Sequence, residues 1–248
     1  MEPAMKNDLL LLSNSALHGR PFLEHAMGAI EGFLDGRRTL HFAPYALADH
    51  AGYTARVAEA LGPLDVEVVG LHTVPDPRAE LERARTLFVG GGNTFRLLRT
   101  LQRLGVLEPV RRRVTNGSLS YLGSSAGTNL ACPTIRTTND MPIVEPGSFT
   151  AFGLVPFQIN PHYRDADPSS THMGETREQR IREFHEENHV PVLGIREGTW
   201  LRRREGELRL HGRAGAILFR RGEDPEPLGD GADLSFLLES SARRDPGP

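Results

Sequence analysis

Cysteine is almost missing from this chain. Cys132 is the single one in 248 residues, which excludes an internal disulfide framework and any cysteine-rich zinc site and fits a reducing compartment such as the cytoplasm. An excess of one charge is missing too. Against 32 acidic residues stand 29 basic ones, a formal charge of −3, so no basic field exists to hold a phosphate backbone and nucleic acid is not an expected partner. Long apolar runs are also lacking. The start from Met1 to Asp8 is short and mixed in charge, and the run Leu9 to Leu12 is too brief for a signal-peptide core or a membrane span. The expectation is a soluble cytoplasmic protein with no membrane partner. Internal repeats and a clear linker are absent as well. What is plentiful is apolar surface: 38% hydrophobic residues over this length supply a continuous core. That implies one α/β domain over residues 1–248, with the Pro-, Gly- and Asp-rich stretch 224–248 apt to fray.

Strand and helix patterns alternate along the first half. Apolar runs at Leu9 to Ser13, Thr39 to Ala43, Val66 to Leu71, Thr86 to Val89 and Ser118 to Gly123 read as buried strands. Between them, Pro21 to Leu34, Tyr53 to Leu61, Pro77 to Ala84, Phe95 to Leu101 and Leu107 to Asn116 carry helical spacing. This order implies a doubly wound, mostly parallel sheet with helices on both faces. Leu154 to Ile159 is a weaker strand because of Pro156; Glu175 to His185 is a charged helix, and Val192 to Ile195 a further strand. Short runs at Trp200 to Arg203, Leu208 to His211 and Ala216 to Phe219, parted by glycine turns, imply antiparallel strands that finish the sheet toward the C-terminus.

One turn carries a recognisable chemistry. Gly123-x-Ser125-x-Gly127 matches the nucleophile elbow, in which flanking glycines permit a tight strand-to-helix turn that lifts a serine hydroxyl above the sheet. A helix starting at Ala126 aims backbone N–H groups at the same spot, where a developing oxyanion would meet them. A serine needs a base, and the base needs an orienting group. His162, fixed by Asn160-Pro161-His162, is the candidate base, because ligands of doubly wound sheets gather beyond the carboxyl ends of strands. Two carboxylates compete to orient it, Glu197 after a core strand and Asp140 in the irregular loop Thr137 to Pro142. Position favours Glu197; Asp140 can instead bind the amino terminus of a substrate or support the histidine from its other side. Gly90-Gly91-Gly92-Asn93 lacks the Gly-Lys-Ser/Thr ending of a phosphate loop, and a second oxyanion donor at Gly91 or Gly92 fits the same strand-to-helix placement. His185-Glu186-Glu187-Asn188-His189 matches the zinc pattern H-E-x-x-H, but Pro191 ends the helix and the surroundings are charged, so no metal site is expected there. Cys132 reads as a buried small residue.

Longer motifs then fall into place. Leu11 to Ser15, Gly90 to Phe95, Ser125 to Gly127, Ala131 to Pro142, Gln158 to His162 and Gly174 to Ile181 together make the chain resemble the peptidase E family, aspartyl dipeptidases among the serine peptidases related to class I glutamine amidotransferases. The resemblance implies Ser125 as nucleophile, His162 as base and either Glu197 or Asp140 as acid; beside it, the helix start and the glycine loop make Ala126 and Gly92 the expected oxyanion donors. It implies removal of an amino-terminal aspartate from short peptides, chiefly dipeptides, with no cofactor; a monomer or homodimer is the expected assembly. Asn93 and Arg177 lie in its motifs as substrate contacts. An arginine grips a carboxylate with two parallel hydrogen bonds, and Arg177, with Arg136 behind it, is the candidate for that task. A cyanophycinase-like hydrolase would share the elbow, and an inactive small-ligand-binding protein would keep the scaffold.

Overall fold

The computed structural model describes residues 8–167, 169, 171 and 174–239. Strands β1 (Leu9–Leu12), β2 (Thr39–Ala43), β3 (Glu67–Gly70), β4 (Thr86–Val89) and β5 (Ser120–Ser124) alternate with helices α1 (Met27–Leu34), α2 (His50–Leu61), α3 (Pro77–Leu81), α4 (Thr94–Arg103) and α5 (Leu107–Thr115). The five strands are parallel to their neighbours, in the order β3-β2-β4-β5-β1. Strands β4, β5 and β1 lie side by side at the centre, so the loops leaving their carboxyl ends are neighbours too. Those loops begin at Gly90, Ser125 and Ser13.

The alternation of side chains in β1 explains the layering. Leu9 and Leu11 enter one apolar cluster with Val89, Leu97 and Tyr121, while Leu10 and Leu12 enter the other with Ile30, Phe33, Phe42 and Val57. All four leucines are fully buried, and each contributes about 1.5–3 kcal/mol against an exposed position. Helices α1 and α2 cover one face; α4 and α5 cover the other.

Past β5 comes the short helix α6 (Ala126–Leu130), and after an irregular stretch the chain enters β6 (Gln158–Tyr163), α7 (Arg177–Glu187) and β7 (Val192–Arg196). Here the structure departs from the simple reading. Strand β8 (Trp200–Arg204) pairs antiparallel with β1 and β9 (Glu207–His211) pairs antiparallel with β8, giving the large sheet seven strands. The remaining late strands do not join it. β10 (Ala216–Phe219) and β11 (Glu226–Leu228) pair with β7 and β6 in a separate sheet of order β11-β10-β7-β6. Its inner residues Phe157, Ile159, Leu193 and Ile195 merge with the core of the large sheet, whereas α7 packs on its outer side through Ile181, against Tyr163, Val192 and Phe219. Strand β6 starts four residues later than the sequence suggests, beyond Pro156, and takes in Pro161 and His162. The stretch from residue 224 to 239 does not fray: it forms β11 and a 3₁₀ turn at Ser235–Leu238, and it buries Leu234 and Leu237. Residues 240–248 lie outside the described ones. No helix among the described residues is long and apolar enough to cross a membrane.

Candidate active site

Ser125 occupies the turn between β5 and α6 at φ 53° and ψ −109°, a backbone region costly for any residue with a side chain and usually held by its surroundings for a purpose. The holding comes from close packing. A Cβ on Gly127 would stand 2.0 Å from the Val89 carbonyl oxygen in β4, so only glycine lets α6 start this close to the sheet. The Ser125 N–H is tied to the Leu12 carbonyl at the end of β1, at 3.1 Å.

Across the gap, His162 brings its Nε2 to 2.9 Å from Ser125 Oγ, while its Nδ1 lies 2.8 Å from Glu197 Oε1. Both ring nitrogens are thus engaged. A carboxylate accepts only, so Nδ1 carries the hydrogen and Nε2 presents its lone pair to the serine hydroxyl. The two elements supplying these groups are parallel neighbours, β6 and β7, whose carboxyl ends point toward the elbow. The imidazole and the carboxylate are 38% and 49% exposed, so their hydrogen bond adds little to stability and serves to orient the ring.

Of the two carboxylates that competed in the sequence, the structure brings only Glu197 to the imidazole. Asp140 Oδ2 instead accepts hydrogen bonds from the Thr94 N–H at 2.7 Å, the Thr94 hydroxyl at 2.6 Å and the Thr138 hydroxyl at 3.2 Å. The two Thr94 donors sit at the first turn of α4, where a helix N-terminus favours an anion. Asp140 nevertheless lines the same cleft, of about 340 Å³, as Ser125, His162, Glu197, Arg164 and Arg177.

The glycine loop after β4 abuts Ser125. A Cβ on Gly91 would lie 3.0 Å from that of Ser125, but the Gly91 N–H already donates to the Tyr53 hydroxyl at 2.9 Å. Burial pushes that phenol up to about 12, so it stays a neutral acceptor. Gly91 is therefore spent, and the N–H group next along the chain from Ser125 is that of Ala126, at the start of α6.

A family model described as peptidase family S51 matches residues 9–211. The chain belongs to peptidase family S51. It is 58% identical to a protein of Streptomyces coelicolor named Peptidase E, over 97% of this chain and 98% of that one. It is 50% identical to a Drosophila melanogaster protein named "Probable alpha-aspartyl dipeptidase", over 95% and 99%. In fold it is similar to the crystal structure of a peptidase from an acI-B1 Actinobacterium, with a TM-score of 0.70 at 16% identity over 94% of this chain and 98% of the other.

The remaining sequence candidates of this S51 chain divide by position. Arg177, at the first turn of α7, lines the cleft; burial lowers its pKa, Arg180 and Arg164 push the same way, and Asp140 opposes them. Asn93 is occupied elsewhere. Its side-chain oxygen accepts from the Arg96 N–H to cap α4, and its amide donates to the Met141 carbonyl at 2.8 Å, which holds the Asp140 loop in place. Arg136 is exposed and directed to Asn188, at 3.5 Å, outside the cleft lining. Arg164 was missed. Its place two residues after His162, on the same side of an extended chain, was the available signal. The zinc-like pair is committed to other bonds: His185 Nε2 contacts the Val190 carbonyl at 3.1 Å, Arg221 donates to His189 at 2.7 Å, and α7 ends at Glu187. Cys132 is fully buried, and burial raises its thiol pKa far above the usual range.

Proposed function

We propose that this S51 peptidase hydrolyses dipeptides with an amino-terminal aspartate, with Ser125 as nucleophile, His162 as general base and then acid, and Glu197 as the group that orients the imidazole. The observation that carries the reading is the unbroken relay from Ser125 Oγ through the imidazole to Glu197, at 2.9 and 2.8 Å. Ser125 Oγ attacks the carbonyl carbon after the first residue, and its proton passes to His162 Nε2. The carbonyl oxygen becomes an oxyanion facing the N–H groups of Gly92 and Ala126. Collapse breaks the C–N bond, the imidazolium protonates the leaving amine, and water then repeats the sequence on the acyl-enzyme.

Selectivity follows from the charges of the cleft. Arg177, aided by Arg164, receives the aspartate side chain, and Asp140, whose Oδ2 is fixed by three donors, offers its other oxygen to the substrate's ammonium group. A neutral side chain would leave a partly desolvated guanidinium unpaired, which is a strong basis for rejection. The names of the Streptomyces and Drosophila relatives support this substrate class. The test compares Asp-Leu with Asn-Leu and the wild type with Ser125→Ala. Free aspartate appears from Asp-Leu, kcat/KM for Asn-Leu is at least about 100-fold lower, and Ser125→Ala loses at least about 10⁴-fold in kcat. Wild-type turnover by Ser125→Ala would end the proposal.

A further inference from the structure

Strand β1 runs directly into Ser13 and Asn14, and both polar side chains are fully buried. Buried polar groups persist when they are bonded, and the Ser13 hydroxyl has two partners on different strands. It donates to the Ile195 carbonyl of β7 at 2.9 Å and accepts from the His162 N–H of β6 at 2.9 Å. These partners mark the place where the two strands lose register. Asn160 pairs with Gly194 and Tyr163 with Arg196, so Pro161 and His162 together face Ile195 alone. Such a bulge re-aims a side chain and leaves ladder groups unpaired. Here a hydroxyl from a third strand fills the interruption, donating to one side and accepting from the other. His162 meanwhile holds φ at 54°, a conformation its neighbours must maintain.

The residues flanking Ser13 reach the rest of the relay. The Leu12 carbonyl accepts from the Ser125 N–H at 3.1 Å, and the Asn14 side-chain oxygen accepts from the Gly198 N–H, next to Glu197, at 2.8 Å. Three consecutive residues therefore touch the backbone at or beside all three members. We propose that Ser13 is a positioning residue of this peptidase, whose hydroxyl, set into the β6–β7 bulge, fixes the His162 backbone and with it the approach of Nε2 to Ser125. This rests on reading Ser125 and His162 as nucleophile and base.

The test is Ser13→Ala, assayed with an Asp-Leu dipeptide and with a serine-directed phosphonate that labels Ser125. Misplacing a catalytic group by a fraction of its reach lowers kcat, here by about 10- to 100-fold, and slows labelling by a similar factor. KM stays within about twofold, since no substrate contact is removed. Ser13→Thr, which returns a hydroxyl, recovers most of both rates. A merely structural role would lower the melting temperature and leave kcat per folded molecule and the labelling rate unchanged; that result overturns the proposal. Should Ser13→Ala fail to fold, Ser13→Cys, with a thiol that hydrogen-bonds weakly, replaces it with the same expected losses. A wild-type protein that labels at Ser125 but leaves Asp-Leu intact would refute the substrate reading alone, and the labelling ratio would still judge Ser13. Absence of labelling in the wild type would overturn both.

Discussion

Ser125 and His162 meet across 2.9 Å, yet the two walls that carry them are held in different ways. The serine wall is local and dense: Gly123 and Gly127 stand two positions either side of Ser125, and β5 is buried along its whole length between β4 and β1. The histidine wall is assembled at long range. Its backbone is fixed by Ser13, 149 positions away in sequence, and its acid stands on an open turn with a half-exposed carboxylate. Damage to the first wall should therefore reach the whole fold, whereas damage to the second should reach the chemistry alone.

The largest expected effect is at Gly127. A methyl group there would press into the Val89 backbone at 2.0 Å, and β4 cannot retreat because β2 and β5 flank it on both sides. Gly127→Ala should cost about 3 kcal/mol or more in urea unfolding, at the upper end of overpacking effects, together with most of the activity. A variant as stable and active as wild type would show that the elbow is not under this constraint and would dissolve the comparison. Glu197→Gln comes next and probes the other wall. Glutamine can present either an oxygen or an NH₂ group to Nδ1, so the tautomer is no longer fixed and kcat should fall by about 100-fold. Because the pair is so exposed, the melting temperature should stay within about 2 °C. A large loss of stability with unchanged kcat would assign Glu197 to the fold instead.

The same contrast decides what could be read from the sequence. The elbow was legible because its cause is local: glycines at fixed offsets between an apolar strand and a helix. The strand ends that carry His162 and Glu197 were legible through the general rule about carboxyl ends, and so was the nearness of Glu197, rather than Asp140, to the imidazole. Asp140 stayed a rival because its true partners, Thr94 and Thr138, are assigned by the way its loop closes over α4, which no spacing reveals. The separate sheet was hidden for a related reason. The runs at Ala216 and at Trp200 look alike as short alternating strands, and which sheet receives each depends on pairing with β7 or β1. Pro156 suggested a strand start, whereas the strand that matters carries Pro161 at its bulge, where a missing N–H is harmless. Ser13 lies in the motif Leu11 to Ser15, but nothing in that motif signals its bond to the His162 backbone.

The smallest expected effect concerns acid, and it also separates the two sides of the molecule. His185 lies on α7 behind the small sheet, and His25 lies beside α1 on the large one. Burial is the leading cause that lowers the pKa of both. The native protein then binds a proton at these rings less readily than the unfolded chain does. Their contribution to stability is complete above the unfolded value, about pH 6.5, and is lost as the pH falls through the lowered native values. Melting temperature should accordingly drop as buffers are taken from about pH 7 to about pH 5. His185→Gln, which keeps a donor for the Val190 carbonyl, should make that drop shallower, because one ring that resists protonation is gone. The Ser125 side should not feel the change, so the phosphonate labelling rate of the folded variant at about pH 7 should match the wild type. An unchanged acid slope in His185→Gln would place the acid sensitivity on the large-sheet side, at His25 or elsewhere, and would remove the small sheet as the first part of the fold to yield to protons.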